Sequence, residues 1–175
     1  MNIFELKVWD DEKHRCTFYT VQWDGATLNE TDKFFEKYEA EDNPYFDTSN
    51  QLLWLILESI GNRYGAIDDF FDRTKNKAQA LPPKPKRRIK EIEELGIHFP
   101  LRLYCYRITE SIVVLFNGGV KDERTDQESD DVRLKFYEAQ QFVSKIEQAL
   151  SEGMIRISDD GKRLEDISGN EEIIL

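Results

Sequence analysis

The sequence predicts an α+β protein, with a sheet built around one wholly apolar strand and helices packed against it. Three stretches carry that expectation. The first is Leu101 to Lys121, LRLYCYRITESIVVLFNGGVK, which reads as two strands joined by a polar turn at Thr109-Glu110. In its first strand Arg102, Tyr104, Tyr106 and Ile108 alternate with Leu101, Leu103, Cys105 and Arg107, so the two sets face opposite sides. The second strand, Ile112 to Phe116, is apolar on both faces and must be covered from both sides. The second stretch contains Val132, Phe136, Ala139, Val143, Ile146 and Leu150, at steps of four and three, which mark one face of an amphipathic helix. The third is an opening hairpin, Ile3 to Trp9 and Cys16 to Trp23, around the charged turn Asp10 to Arg15.

Between these stretches the chain reads as helices and connectors. Thr27 with Glu30, or Asn29 with Asp32, caps a helix running to Ala40, which Asn43-Pro44 breaks. Thr48 with Gln51 fits a capping box for the next helix, and its many leucines and isoleucines predict deep burial, Trp54 included. Ile67, Phe70, Phe71 and Thr74 share the face of another helical run. Leu81-Pro82-Pro83-Lys84-Pro85 forbids a helix and stiffens an extended passage, as a connector or as a proline-rich ligand. A short helix ending at Gly96 follows. Asp122 to Asp131 is a charged loop, and Met154 to Ile157 with Leu164 to Ile167 makes a last small hairpin. The apolar stripe of the long helix packs on the sheet or serves a partner.

The chain has 175 residues, 39% hydrophobic and 12% aromatic, enough for one ordinary core, and we expect a single domain, 1–175. No apolar run reaches the length of a membrane span, and the first twenty residues lack the basic start and apolar centre of a signal peptide, so a cytoplasmic protein with no membrane partner is expected. Cys16 and Cys105 lie in apolar strand patterns and read as reduced core residues. Two histidines and two cysteines, all scattered singly, draw no metal pattern.

The net charge is −11, which disfavours nucleic acid, yet it is unevenly spread. Residues 1–72 carry 6 Lys/Arg against 16 Asp/Glu, residues 73–90 carry 8 against none, and residues 91–175 carry 10 against 19. The basic segment Arg73 to Lys90 is either a local anion site or a solvated loop balancing nearby acids. No Gly-rich phosphate loop is present, because Gly118-Gly119 lacks the following lysine and hydroxyl residue.

The order of these elements resembles the RelE/HigB (ParE-like) superfamily of toxin-antitoxin toxins, on its phage-derived HigB-like branch. The resemblance rests on Ala80-Leu81-Pro82 before the hairpin, Leu101-Arg102-Leu103-Tyr104 and Tyr106-Arg107 in its first strand, Ile112 to Phe116 in its second, and Gly119-Val120-Lys121 at the exit. It covers residues 81–150. It implies a small antiparallel sheet flanked by helices, here with an extra N-terminal hairpin and a C-terminal extension. It also implies an endoribonuclease that cuts mRNA in the ribosomal A site without metal or other cofactor, neutralised by an antitoxin. Arg102 matches the family's phosphate-facing strand arginine and Lys121 its basic residue after the last strand, with Arg107 and Tyr104 as further catalytic candidates. Lys84, Lys86, Arg87 and Arg88 are the candidates for holding RNA phosphate. The family's C-terminal proton-handling tyrosine or histidine has no counterpart here, Tyr137 lying too far into the helix. The alternative is a non-catalytic binding module that engages a protein or nucleic-acid partner through the basic segment and the C-terminal helix. Oligomeric state is not legible.

Overall fold

The computed structural model describes residues 2–72, 77–121 and 130–175. The readings placed on Arg73 to Asn76 and on Asp122 to Ser129 lie outside the described residues. The chain is α+β, and its main sheet has six strands in the order β3-β4-β5-β2-β1-β8. These are β1 (Phe4–Asp10), β2 (Thr17–Trp23), β3 (Gln79–Leu81), β4 (Leu101–Thr109), β5 (Ile112–Val120) and β8 (Ile173–Ile174). A separate two-stranded sheet joins β6 (Ile155–Ile157) to β7 (Leu164–Asp166).

The apolar strand takes the central place its composition demands. Val113 and Leu115 of β5 face one core, with Leu101, Leu103 and Cys105 of β4. Ile112, Val114 and Phe116 face the other, with Tyr104, so the alternation read from the sequence is the alternation in the sheet. Helices α1 (Glu30–Glu36), α2 (Phe46–Trp54) and α3 (Lys90–Leu95) pack on the first side. Helix α4 (Asp130–Ser151) covers the second, where Val132, Ala139, Val143 and Ile146 are buried. The long helix's stripe is thus spent on the sheet. Phe142 fills the gap between them, its ring stacked 5.3 Å from Phe116 and edge-on to Phe4 at 4.9 Å.

The sheet is mixed where an antiparallel one was expected. β4 and β5 form the antiparallel hairpin, but β2 runs parallel to β5, pairing Thr17 with Ile112 and Tyr19 with Val114. Asn29 caps α1, its Oδ1 accepting from the Asp32 N–H at 2.8 Å. The helix stops at Glu36, short of Ala40. Helix α2 begins at Phe46, ahead of the expected Thr48 cap, and continues as a π-helix from Leu55 to Tyr64. Leu55, Ile56 and Ile60 are buried, while Trp54, expected in the core, is 53% exposed on the face it shares with Asn50, Gln51 and Glu58. Of the helical run after Ile67, the described residues form only a 3₁₀ turn, Asp68–Phe70. The last residues add β8 to the outer edge of β1.

Candidate functional site

At the exit of the β4–β5 hairpin, register brings the two strongest candidates together. Leu101 pairs with Val120 and Arg102 with Gly119, so Lys121 emerges beside the start of β4, its N–H donating to the Pro100 carbonyl at 2.7 Å. Gly118 makes this end of the hairpin possible, since a Cβ there would lie 1.8 Å from the Arg102 carbonyl oxygen. Arg102 is half-buried. Its Nη1 donates to the carbonyls of Phe99 at 2.7 Å and Leu101 at 2.9 Å, which anchors the guanidinium over the strand's first turn of chain.

The segment following β3 forms the opposite wall. Here Pro82, Pro83 and Lys84 join Arg102 and Lys121 around a cleft of about 170 Å³. Asp72 is its one carboxylate among the described residues, and the sequence reading passed over it. Its Oδ2 accepts from the Lys84 N–H at 3.0 Å and its Oδ1 lies 3.3 Å from Lys86 Nζ. Asp72 thereby folds the proline segment back toward the sheet. No sequence signal separates it from the other fifteen acids of residues 1–72.

The remaining candidates are elsewhere. Tyr104 is 3% exposed, with its ring 5.3 Å from Phe136 under α4, and does not line the cleft. Arg107 lies about 16 Å further along β4, at the other end of the hairpin. There its Nε donates to the Ala66 carbonyl, its Nη1 is 2.9 Å from Asp68 Oδ1, and it covers the Phe71 ring at 5.7 Å. That is the environment of a cation holding loops together. Arg87 and Arg88 are exposed outside the cleft, and Arg88 lies 3.8 Å from Asp69. Tyr137 is 62% exposed on α4 and lines a different groove, with Trp23 and Phe142.

Lys37, a cation not singled out by the sequence reading, reaches β5 from the α1 side. Its Nζ donates to the Gly118 carbonyl at 3.1 Å and to Asn117 Oδ1 at 3.4 Å. Burial pushes its pKa down, and Asp131 at 3.9 Å opposes that shift. Among the described residues, no group of three His, Cys, Asp or Glu is arranged to hold a metal ion. No described helix is long and apolar enough to cross a membrane.

The chain matches no protein-family model, and no match is found among curated proteins or solved structures.

Proposed function

We propose that the cleft at the exit of the β4–β5 hairpin binds RNA phosphate, and that the protein acts as a RelE/HigB-like toxin, cutting ribosome-bound mRNA without metal. The observation carrying this reading is the convergence of Arg102, Lys121 and Lys84 on one cleft from three separate pieces of chain. Scission requires the ribose 2′-oxygen to attack the adjacent phosphorus while the bond to the 5′-oxygen breaks, leaving a 2′,3′-cyclic phosphate and a 5′-hydroxyl. Negative charge gathers on the phosphorus oxygens, where an anchored guanidinium and an ammonium stabilise it. The 2′-proton needs an acceptor, for which Asp72 is the carboxylate on this wall, and the departing 5′-oxygen takes its proton from the Lys121 ammonium. An antitoxin would act by covering the cleft.

The test is induction of the protein in growing cells, with mapping of ribosome-bound messages. Growth arrest with cut messages, both abolished by Lys121→Ala, is the expected result. Normal growth with intact messages removes the nuclease reading.

A second reading, binding without cleavage, is favoured by the engagement of both Asp72 oxygens with Lys84 and Lys86 and by the burial of Tyr104. In that case charge reversal at Lys86, Arg87 and Arg88 abolishes capture of the partner, while Lys121→Ala leaves cell growth as it was.

A further inference from the structure

A second cluster of cations lies at the opposite end of the β4–β5 hairpin, about 26 Å along the strands from Arg102. Four connections meet there: the β1–β2 turn, the end of the π-helix, the β4–β5 turn and the β6–β7 turn. They enclose a cleft of about 240 Å³ whose walls include Lys13, His14, Arg15 and Lys162, against the single carboxylate of Glu110.

Backbone bonds hold this cleft in shape. The Arg15 N–H donates to the Gly61 carbonyl at 2.7 Å and the His14 N–H to Asn62 Oδ1 at 3.1 Å, which ties the β1–β2 turn to the π-helix. The Ala66 N–H donates to the Glu110 carbonyl at 2.7 Å and the Thr17 N–H to the Ser111 carbonyl at 2.8 Å, fixing the β4–β5 turn between them. Gly61 admits the Lys13 stem, since a Cβ there would lie 2.9 Å from Lys13 Cγ. The cations are therefore presented by rigid turns.

Their charges are cancelled only in part. Lys13 has Asp10 at 3.6 Å, and Glu110 is shared with Arg107 at 3.8 Å. Among the described residues, Arg15 and Lys162 form no side-chain ion pair within 4.0 Å, and both are exposed. Asp160, the nearest acid in sequence to Lys162, accepts from Ser158 Oγ and from the Lys162 N–H, and its carboxylate also feels the Lys162 charge. In a chain of net charge −11, three cations converging on a concave surface against one lining carboxylate favour a bound anion.

The surroundings limit the size of the anion. Glu12 on the β1–β2 turn and Asp159 on the β6–β7 turn are exposed acids near the cationic residues in sequence, and they disfavour a polyanion that runs on past the cleft. A compact dianion avoids them. The wall also carries the partly exposed ring of Tyr64, held between the Arg63 guanidinium at 5.3 Å and the Phe70 ring at 5.7 Å.

We propose that this cleft is a binding site for a small phosphate monoester, with Arg15 and Lys162 on the phosphate, Lys13 reinforcing the field, His14 offering a ring N–H, and the edge of the Tyr64 ring against the organic part. It is independent of the RNA reading of the Arg102 cleft.

The probes are adenosine 5′-monophosphate and inorganic phosphate, titrated into the full chain by calorimetry and by backbone amide NMR. Saturable 1:1 binding of the nucleotide is expected, with the largest shifts at Arg15, Gly65, Ser111 and Lys162. Arg15→Ala with Lys162→Ala should weaken it by about tenfold or more, the loss of charge-assisted hydrogen bonds, with an unchanged melting temperature. Arg156→Ala, on the exposed β6–β7 ribbon, should leave binding as it was. Absence of saturable nucleotide binding, shifts confined to the Arg102 cleft, or indifference to the double substitution overturns the proposal. So does binding of inorganic phosphate alone, which reduces the cleft to a site for the free ion, or tighter binding of a short single-stranded RNA at these amides.

Discussion

The hydroxyl of Thr31 lies 3.0 Å from the carbonyl oxygen of Phe116, and equally 3.0 Å from that of Leu115. The pairing of β2 with β5 stops at Tyr19 and Val114, which leaves the next carbonyls of β5 without a strand neighbour on that side. Helix α1 takes over. Thr31 serves Leu115 and Phe116, and Lys37, two turns on, serves Gly118. Thr20 Oγ1 sits 2.7 Å from Thr31 Oγ1, so the helix is tied to β2 and β5 together by fully buried hydroxyls.

Thr31→Val keeps the shape and removes the donor, leaving buried carbonyls and the Thr20 hydroxyl short of a partner. Urea unfolding should show a loss of about 1–3 kcal/mol, and Thr31→Ser should recover most of it. Equal stability of the valine variant would mean that α1 is held by apolar contacts alone.

Gly118→Ala tests the close approach behind the candidate cleft. A methyl group 1.8 Å from the Arg102 carbonyl forces the hairpin apart, so the variant should lose about 3 kcal/mol or more, or fail to fold. Chemical unfolding and amide exchange in β4 read the effect. A folded variant of normal stability would show that the two strands are not this close.

Both thiols should be unreactive in the folded protein. Burial pushes the Cys16 pKa up from 9.0 to about 12, and burial with a contribution from Cys16 pushes Cys105 up as well. At pH 8 neither should react with a thiol reagent until denaturant is added. The same shifts set an alkaline limit. The fold favours the neutral thiol, so this contribution to stability is complete below pH 9 and is lost as pH rises toward 12. Tyr38, raised from 10.0 to about 12 chiefly by burial, adds to the loss over the upper part of that window. Melting temperatures measured across this range should fall steadily, and a flat profile would contradict the assignment.

The phosphate reading of the Arg102 cleft predicts a salt effect. If Lys84 and Lys121 each contact one phosphate, the slope of log K for single-stranded RNA against log salt should shrink by about 0.7 per lysine removed, for any base sequence. An unchanged slope in the double alanine variant would place the RNA elsewhere.

Trp54→Ala should change stability by no more than about 0.5 kcal/mol, as expected for a residue 53% exposed. A larger loss would restore the buried position that the sequence suggested.

That residue shows where the sequence was legible. In β4 and β5 the two-residue period assigns each side chain to a face, and the structure follows it from Leu101 to Phe116. The α4 stripe is equally plain, because its period of 3.6 points the same residues at the sheet for its whole length. Trp54 is flanked by aliphatic residues, yet Asn50, Gln51 and Glu58, one turn away on either side, are polar and exposed, so helical spacing places Trp54 on the face turned to water. Of the candidate cleft, Arg102 and Lys121 could be read as neighbours because a hairpin's register follows from its turn. Asp72 could not, since it reaches Lys84 through the fold. Nor could Lys13 and Arg15 be joined to Lys162, since their contributions lie within the acidic totals of residues 1–72 and 91–175.

The sequence by itself determined the local periods: the central apolar strand, the hairpins and the face of the long helix, all of which depend on neighbours within a few residues. Only the tertiary structure decided that β2 lies parallel to β5 and that α1 completes the hydrogen bonding of β5. It also decided that cations from distant segments gather at the two ends of one hairpin. Those outcomes depend on contacts between residues far apart in the chain, where burial of apolar surface on both sides of the sheet and pairing of most buried polar groups select one arrangement among many.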